Sequence, residues 1–179
     1  MKNLIALKKN KGFTIVETLV AVAILMISIA GPLTIAQKGL TAAVYARDQV
    51  TASFLAQDAM EYIKNIRDNN ILDEDPWLRY IIDNGCSSAS NQCKVDTTSS
   101  VQASAIQPCN GNCYLYLSDR GYDTNSSGTK TQFTRSFYVD ITNISNPDEE
   151  ATVYVTVSWT NGTIANAVTL ENQLFNISR

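Results

Sequence analysis

The chain contains no histidine, which removes the commonest general base and the usual nucleophile–base–acid triads. Neither a Gly-x-Ser-x-Gly elbow nor a phosphate-cradling glycine loop occurs. Cys109-x-x-x-Cys113 has the wrong spacing for a thioredoxin-like redox pair. The neighbouring carboxylates Asp73, Glu74 and Asp75 fall in a polar stretch and read as a solvated acidic run rather than an acid/base couple. No catalytic residue is assigned, no cofactor is implied, and an enzyme is not expected. Cations are also scarce, with 14 Lys and Arg against 17 Asp and Glu and a net charge of −3. Four of those cations, Lys2, Lys8, Lys9 and Lys11, sit in an acid-free leader, so the remainder is more acidic still. Such a body does not suit nucleic acid, because phosphate neutralisation needs clustered Lys and Arg.

Charge is missing altogether from Thr18 to Gln37, a run about long enough to cross the ~30 Å hydrocarbon core of a bilayer as a helix. Immediately before it stands Glu17, where a lone carboxylate facing lipid costs roughly 2 to 4 kcal/mol. Its presence points to a partner, the alternative being that it snorkels to the headgroups. The cationic leader before the span predicts that the leader stays in the cytoplasm and that everything after Lys38 faces outward. Proline is rare too, with none between Gln37 and Asp75. Leu40, Val44, Thr51, Leu55, Ala59, Tyr62, Ile63 and Ile66 recur with helical spacing among charged residues. One helix from about Phe13 to about Asp68, about 80 Å long, is therefore predicted. Gly31-Pro32 is expected to kink or locally melt it.

Beyond Asn69-Asn70 the composition turns to Ser, Asn and Gln, with Cys86, Cys93, Cys109 and Cys113 in the predicted exterior part. An even number of cysteines in a loop-rich exterior region suits disulfides. Four cysteines allow three pairings, and the sequence does not choose among them; proximity favours Cys86 with Cys93 and Cys109 with Cys113. A zinc site fits poorly, since the spacings depart from the usual ligand pattern. Strands are predicted over Tyr114 to Ser118, Thr134 to Ile144 and Thr152 to Thr160, followed by a hairpin turning at Asn161-Gly162. That turn pairs Trp159 with Ile164, Val155 with Val168 and Val153 with Leu170, keeping all of them on one face. The predicted fold is α+β: a long N-terminal helix, transmembrane in its first half and amphipathic in its second, packed on a small antiparallel sheet of three to four strands. Arg135 falls on the apolar face of its strand, either paired with a helix acid such as Asp58 or Glu61 or reaching water from an edge. Asp123, Asn125, Ser127 and Gly128 match the first half of a calcium loop, but Thr134 stands where a bidentate Glu should close it, so no metal is assigned.

Lys11-Gly12-Phe13-Thr14-Ile15-Val16-Glu17 followed by the apolar run resembles the prepilin signal of type IV pilins and of type II secretion pseudopilins. The resemblance covers Lys8 to Gln37; the rest matches that family only in architecture. It implies that a prepilin peptidase cuts between Gly12 and Phe13, that the new Phe13 amine is methylated, and that Glu17 meets the amine of a neighbouring subunit during filament assembly. A glycine before the scissile bond leaves the backbone open to a protease. The implied organisation is a leader over 1–12, a transmembrane segment over 13–37, an amphipathic continuation over 38–68 and an exterior head over 69–179. The implied location is the bacterial inner (cytoplasmic) membrane as a single-pass precursor with its head outside the cytoplasm, and then a pilus or pseudopilus. Implied partners are the membrane, the peptidase and other pilin or pseudopilin subunits. Thr131-Gln132-Phe133-Thr134-Arg135 and the closing hairpin look like a minor pilin or minor pseudopilin. The competing reading is a single-pass anchored binding protein that does not polymerise.

Overall fold

The computed structural model describes residues 12–141 and 149–177. The leader cations Lys2, Lys8, Lys9 and Lys11, and Ile144 at the end of a predicted strand, lie outside the described residues. Two compact units divide the chain, Met1–Val44 and Tyr45–Arg179; helix α1 (Ile15–Leu72) begins in the first and ends in the second.

In the first unit the side chains from Phe13 to Ala43 are all exposed, and the helix is long and apolar enough to cross a membrane. Its few hydroxyls are satisfied within the helix. Thr18 Oγ1 donates to the Ile15 carbonyl at 2.8 Å, Ser28 Oγ to Leu25 at 2.8 Å and Thr34 Oγ1 to Ala30 at 2.9 Å. A polar side chain that turns back onto the backbone in this way demands no water, which suits a hydrocarbon surrounding. The chain stays helical through Gly31 and Pro32, so the helix does not melt there as the sequence suggested it could. Proline removes one N–H, and the flanking turns carry the helix across that single missing bond.

The second unit is an antiparallel sheet covered by α1. The buried face of the helix is Ala52, Leu55, Ala56, Ala59, Met60, Ile63 and Ile66, spaced at three and four residues. The three alanines keep that face low and let the helix lie close to the strands. Against it stand Phe133, Phe137 and Val139 of β5 (Thr129–Asp140) and Val153, Val155, Val157 and Trp159 of β6 (Glu150–Asn161), all buried in one cluster. Strict alternation puts their even-numbered neighbours on the opposite face. The predicted stripe thus holds from Leu55 to Ile66, whereas Leu40 is 69% exposed.

Among the described residues the sheet has seven strands rather than three or four. β6 and β7 (Ile164–Phe175) form the long hairpin, and β5 pairs with β6 along one edge. The other edge of β5 is shared: β1 (Cys93–Val95) meets it at Phe137, and β3 (Tyr114–Ser118) meets it from Thr134 to Thr129. β2 (Ile106–Pro108) extends β1, and β4 (Gly121–Asp123) extends β3. β1, β2 and β4 are three residues each, too short for an alternation to register in sequence. Short helices α2 (Arg79–Asp83) and α3 (Gln102–Ala105) fill the connection from α1 to β2.

The β6–β7 register differs from the predicted one. Asn161 pairs with Ile164, so Gly162 and Thr163 are the turn and Asn161 is the last residue of β6. Trp159 faces Asn166, Val155 faces Leu170 and Val153 faces Asn172. Gly162 has φ 63° while Asn161 and Thr163 do not have positive φ, the pattern of a type II′ turn with glycine first, in place of the type I′ turn that Asn-Gly favours. The displacement is two residues along β7, so each side chain keeps its face and only its partner changes.

Candidate functional site

Gly12, Phe13 and Thr14 precede the first helical residue, Ile15. Nothing lies within 4 Å of the position a Cβ on Gly12 would take, and the Phe13 side chain is 81% exposed, so the Gly12–Phe13 peptide is open to an approaching protein. Thr14 caps the helix: its Oγ1 accepts the Glu17 N–H at 3.2 Å, and its carbonyl accepts the Thr18 N–H at 3.2 Å. Thr14-x-x-Glu17 has the residue pattern of a capping box, which the reading of the signal overlooked although the spacing was visible. The cap fixes Glu17 in the first helical turn, where the helix dipole favours a carboxylate. Among the described residues Glu17 makes no ion pair and is exposed.

In the head, Arg135 is the largest fully buried side chain. Its Nη1 donates to the Leu55 carbonyl and to Asp58 Oδ2, both at 3.0 Å, and its Nη2 donates to the Val95 carbonyl at 2.9 Å. One guanidinium therefore ties α1, β1 and β5 together. Of the two acids considered as partners Asp58 is the one used, while Glu61 pairs with Lys64 at 2.8 Å. Burial pushes the Arg135 guanidinium below its ordinary pKa, and Asp58 opposes that shift. Asp48 is a buried acid that helical spacing did not reveal. Its Oδ1 accepts from Arg47 Nη2 at 2.9 Å, and Asn161, with its amide nitrogen turned toward the helix, donates to Oδ2 at 3.0 Å. The contact joins α1 to the end of β6, and no local sequence signal could have paired residues so far apart in the chain.

Cys86 is bonded to Cys93 and Cys109 to Cys113, with Cα separations of 5.6 and 5.1 Å, inside the usual span for a disulfide. Both close short loops beside the sheet. The Cys86 carbonyl accepts the Val139 N–H at 2.8 Å, which anchors the first loop on β5.

The side-chain oxygens of Asp123 and Asn125 in the calcium-like segment are hydrogen-bonded within the protein. Asp123 Oδ2 accepts Ser118 Oγ at 2.7 Å, Asp123 Oδ1 accepts the Asn125 N–H at 3.0 Å, and Asn125 Oδ1 accepts the Ser127 N–H at 3.1 Å. These are side-chain turns that shape the β4–β5 connection. Gly128 is needed there for room rather than for an unusual φ, because a Cβ would sit 2.8 Å from the Leu117 carbonyl oxygen.

A family model described as the prokaryotic N-terminal methylation motif matches residues 7–31, spanning the Gly12–Phe13 peptide, Thr14 and Glu17. No curated protein and no solved structure matches the chain. The match takes in the Gly12–Phe13 junction, the capped helix start and the first part of the uncharged run behind Glu17, so the chain carries the prokaryotic N-terminal methylation motif at the head of an apolar helix, in agreement with the type IV pilin and pseudopilin family.

Proposed function

We propose that the chain is a structural subunit of a type IV pilus or a type II secretion pseudopilus, released from its leader by a prepilin peptidase and assembled through α1. The carrying observation is the motif match over residues 7–31. Cleavage would fall between Gly12 and Phe13, and methylation on the Phe13 amine. Before assembly the chain is a single-pass protein of the inner membrane with its head outside the cytoplasm; the head-side cysteine pairs are consistent with an oxidising exterior. Glu17 is left without a counter-charge among the described residues and lies a few residues from where the new amine would form. In an apolar surrounding a close cation stabilises a carboxylate, so the Phe13 amine of an adjoining subunit would fix the axial position of one helix against the next. The role is mechanical rather than enzymatic, and a minor subunit that presents its head at a filament end is the finer form of this reading.

Mass spectrometry of the mature protein tests the processing. The expected product begins at N-methylated Phe13, and retention of residues 1–12 would instead identify a single-pass anchored binding protein. Glu17→Val tests the pairing: membrane insertion is expected to persist while recovery in sheared filaments falls. Unchanged incorporation of that variant would remove the amine-pairing idea and leave the processing intact.

A further inference from the structure

The face of the sheet turned away from α1 carries a groove of about 840 Å³ that the assembly reading leaves unused. Its floor is a square of hydroxyls, two from β5 and two from β6, formed by the cross-strand pairs Thr134 with Ser158 and Ser136 with Thr156. Its walls are the two disulfide-closed loops, which bring up amides such as Asn91, Gln92 and Asn110. None of the residues lining it is charged, in a chain where 17% of residues are. The Ser136 and Ser158 hydroxyls and the Gln92 amide make no side-chain hydrogen bond within the described residues. One step further along both strands, about 7 Å on, Tyr138 and Tyr154 stack at 4.9 Å between ring centroids. Glu171 lies 3.4 Å from the Tyr154 hydroxyl, so the fringe at that end is anionic. At the other end Tyr114 lines the groove, and the ammonium of Lys130 lies 3.3 Å from its ring centroid.

This chemistry restricts the occupant. An ionic ligand would lose its hydration and find no counter-charge in the lining. An apolar ligand would cover hydroxyls and amides without satisfying them. A ligand that fits is uncharged, rich in donors and acceptors, and able to lay apolar C–H surface against aromatic rings. The groove is within the size range of small-molecule sites, and the cross-linked walls hold it preformed. We propose that it is a binding site for a neutral carbohydrate, a short oligosaccharide without carboxylate, sulfate or phosphate groups.

The test uses full-length protein in a zwitterionic detergent without a sugar headgroup, applied to an array of neutral hexose, N-acetylhexosamine and fucose glycans. Sialylated and sulfated glycans and a neutral Gly/Ser/Asn peptide serve as comparisons, and titration calorimetry follows on any glycan retained. Binding of at least one neutral glycan, with the charged forms of the same core rejected, is the expected result. Ser136→Ile raises strand propensity while it removes a floor hydroxyl and fills space, and is expected to weaken binding about tenfold. Gln92→Ala, at an exposed wall position, is expected to weaken it too and serves if the first variant misfolds. No neutral glycan retained at millimolar concentration, equal binding of charged glycans, retention of the peptide alone, or full binding by both folded variants would each overturn the proposal. Binding is read on unassembled protein, so the outcome is independent of whether α1 enters a filament.

Discussion

The Arg135 guanidinium, 1% exposed, is held by two backbone carbonyls and by Asp58, which is itself 53% exposed. The two partners are therefore unequal in what their loss exposes. Arg135→Ala leaves a cavity, removes the guanidinium donor from the Val95 carbonyl and takes a second donor from the Leu55 carbonyl, which keeps its bond within α1, and should cost about 3 kcal/mol. Asp58→Asn leaves the guanidinium with both carbonyls and removes a carboxylate already screened by water, for a cost of about 1 kcal/mol. Thermal unfolding of the full chain in micelles, followed by circular dichroism, ranks the two; an equal or reversed order would show that the charge pair rather than the burial dominates. The pH dependence has a definite sign. Because burial lowers the folded-state pKa of Arg135 against the opposing pull of Asp58, the unfolded chain binds that proton more tightly, so this group's contribution to stability rises with pH between its folded and unfolded values and is constant outside them.

At the scale of elements the two loop glycines do different work. Gly162 has φ 63° and open space where a Cβ would be, so Gly162→Ala should cost about 1 kcal/mol from backbone strain alone. Gly128 does not have positive φ, yet its missing Cβ makes room for the Leu117 carbonyl at 2.8 Å. Gly128→Ala must move backbone that belongs to β3, and a larger loss than at Gly162 is expected in the same unfolding assay. Asn161-Gly162 marked a hairpin correctly and its turn incorrectly. The sequence pattern constrains which face a residue takes, and a displacement of two residues is invisible to it. In the observed register Asn161 is the last residue of β6 rather than a turn residue, and its amide reaches Asp48 of α1.

For the whole molecule, the pairing of all four cysteines predicts that alkylation of unreduced protein labels no thiol and that labelling after reduction in denaturant reaches four. A full count of four before reduction would contradict the pairing. Replacing Cys86 and Cys93 with serine should lower stability by about 2 kcal/mol, the lower part of the usual range, because the loop they close is short. The same double variant loosens one wall of the polar groove, so its effect on glycan retention should exceed its effect on the far end of the hairpin.

The sequence alone determined the long helix, its uncharged first part, the stripe from Leu55 to Ile66 and the α+β class, because each rests on a periodicity or an absence within one local window. Thr14-x-x-Glu17 belonged to the same local information. The three-residue strands, the division of one β5 edge between β1 and β3, the hairpin register and the choice of Asp58 over Glu61 were decided only in the tertiary structure. So was the hydroxyl floor between the disulfide loops, since Thr134, Ser136, Thr156 and Ser158 become one surface only when two strands pair. Local periodicity sets which way a side chain points. What it meets depends on chain segments whose encounter no short window of sequence encodes.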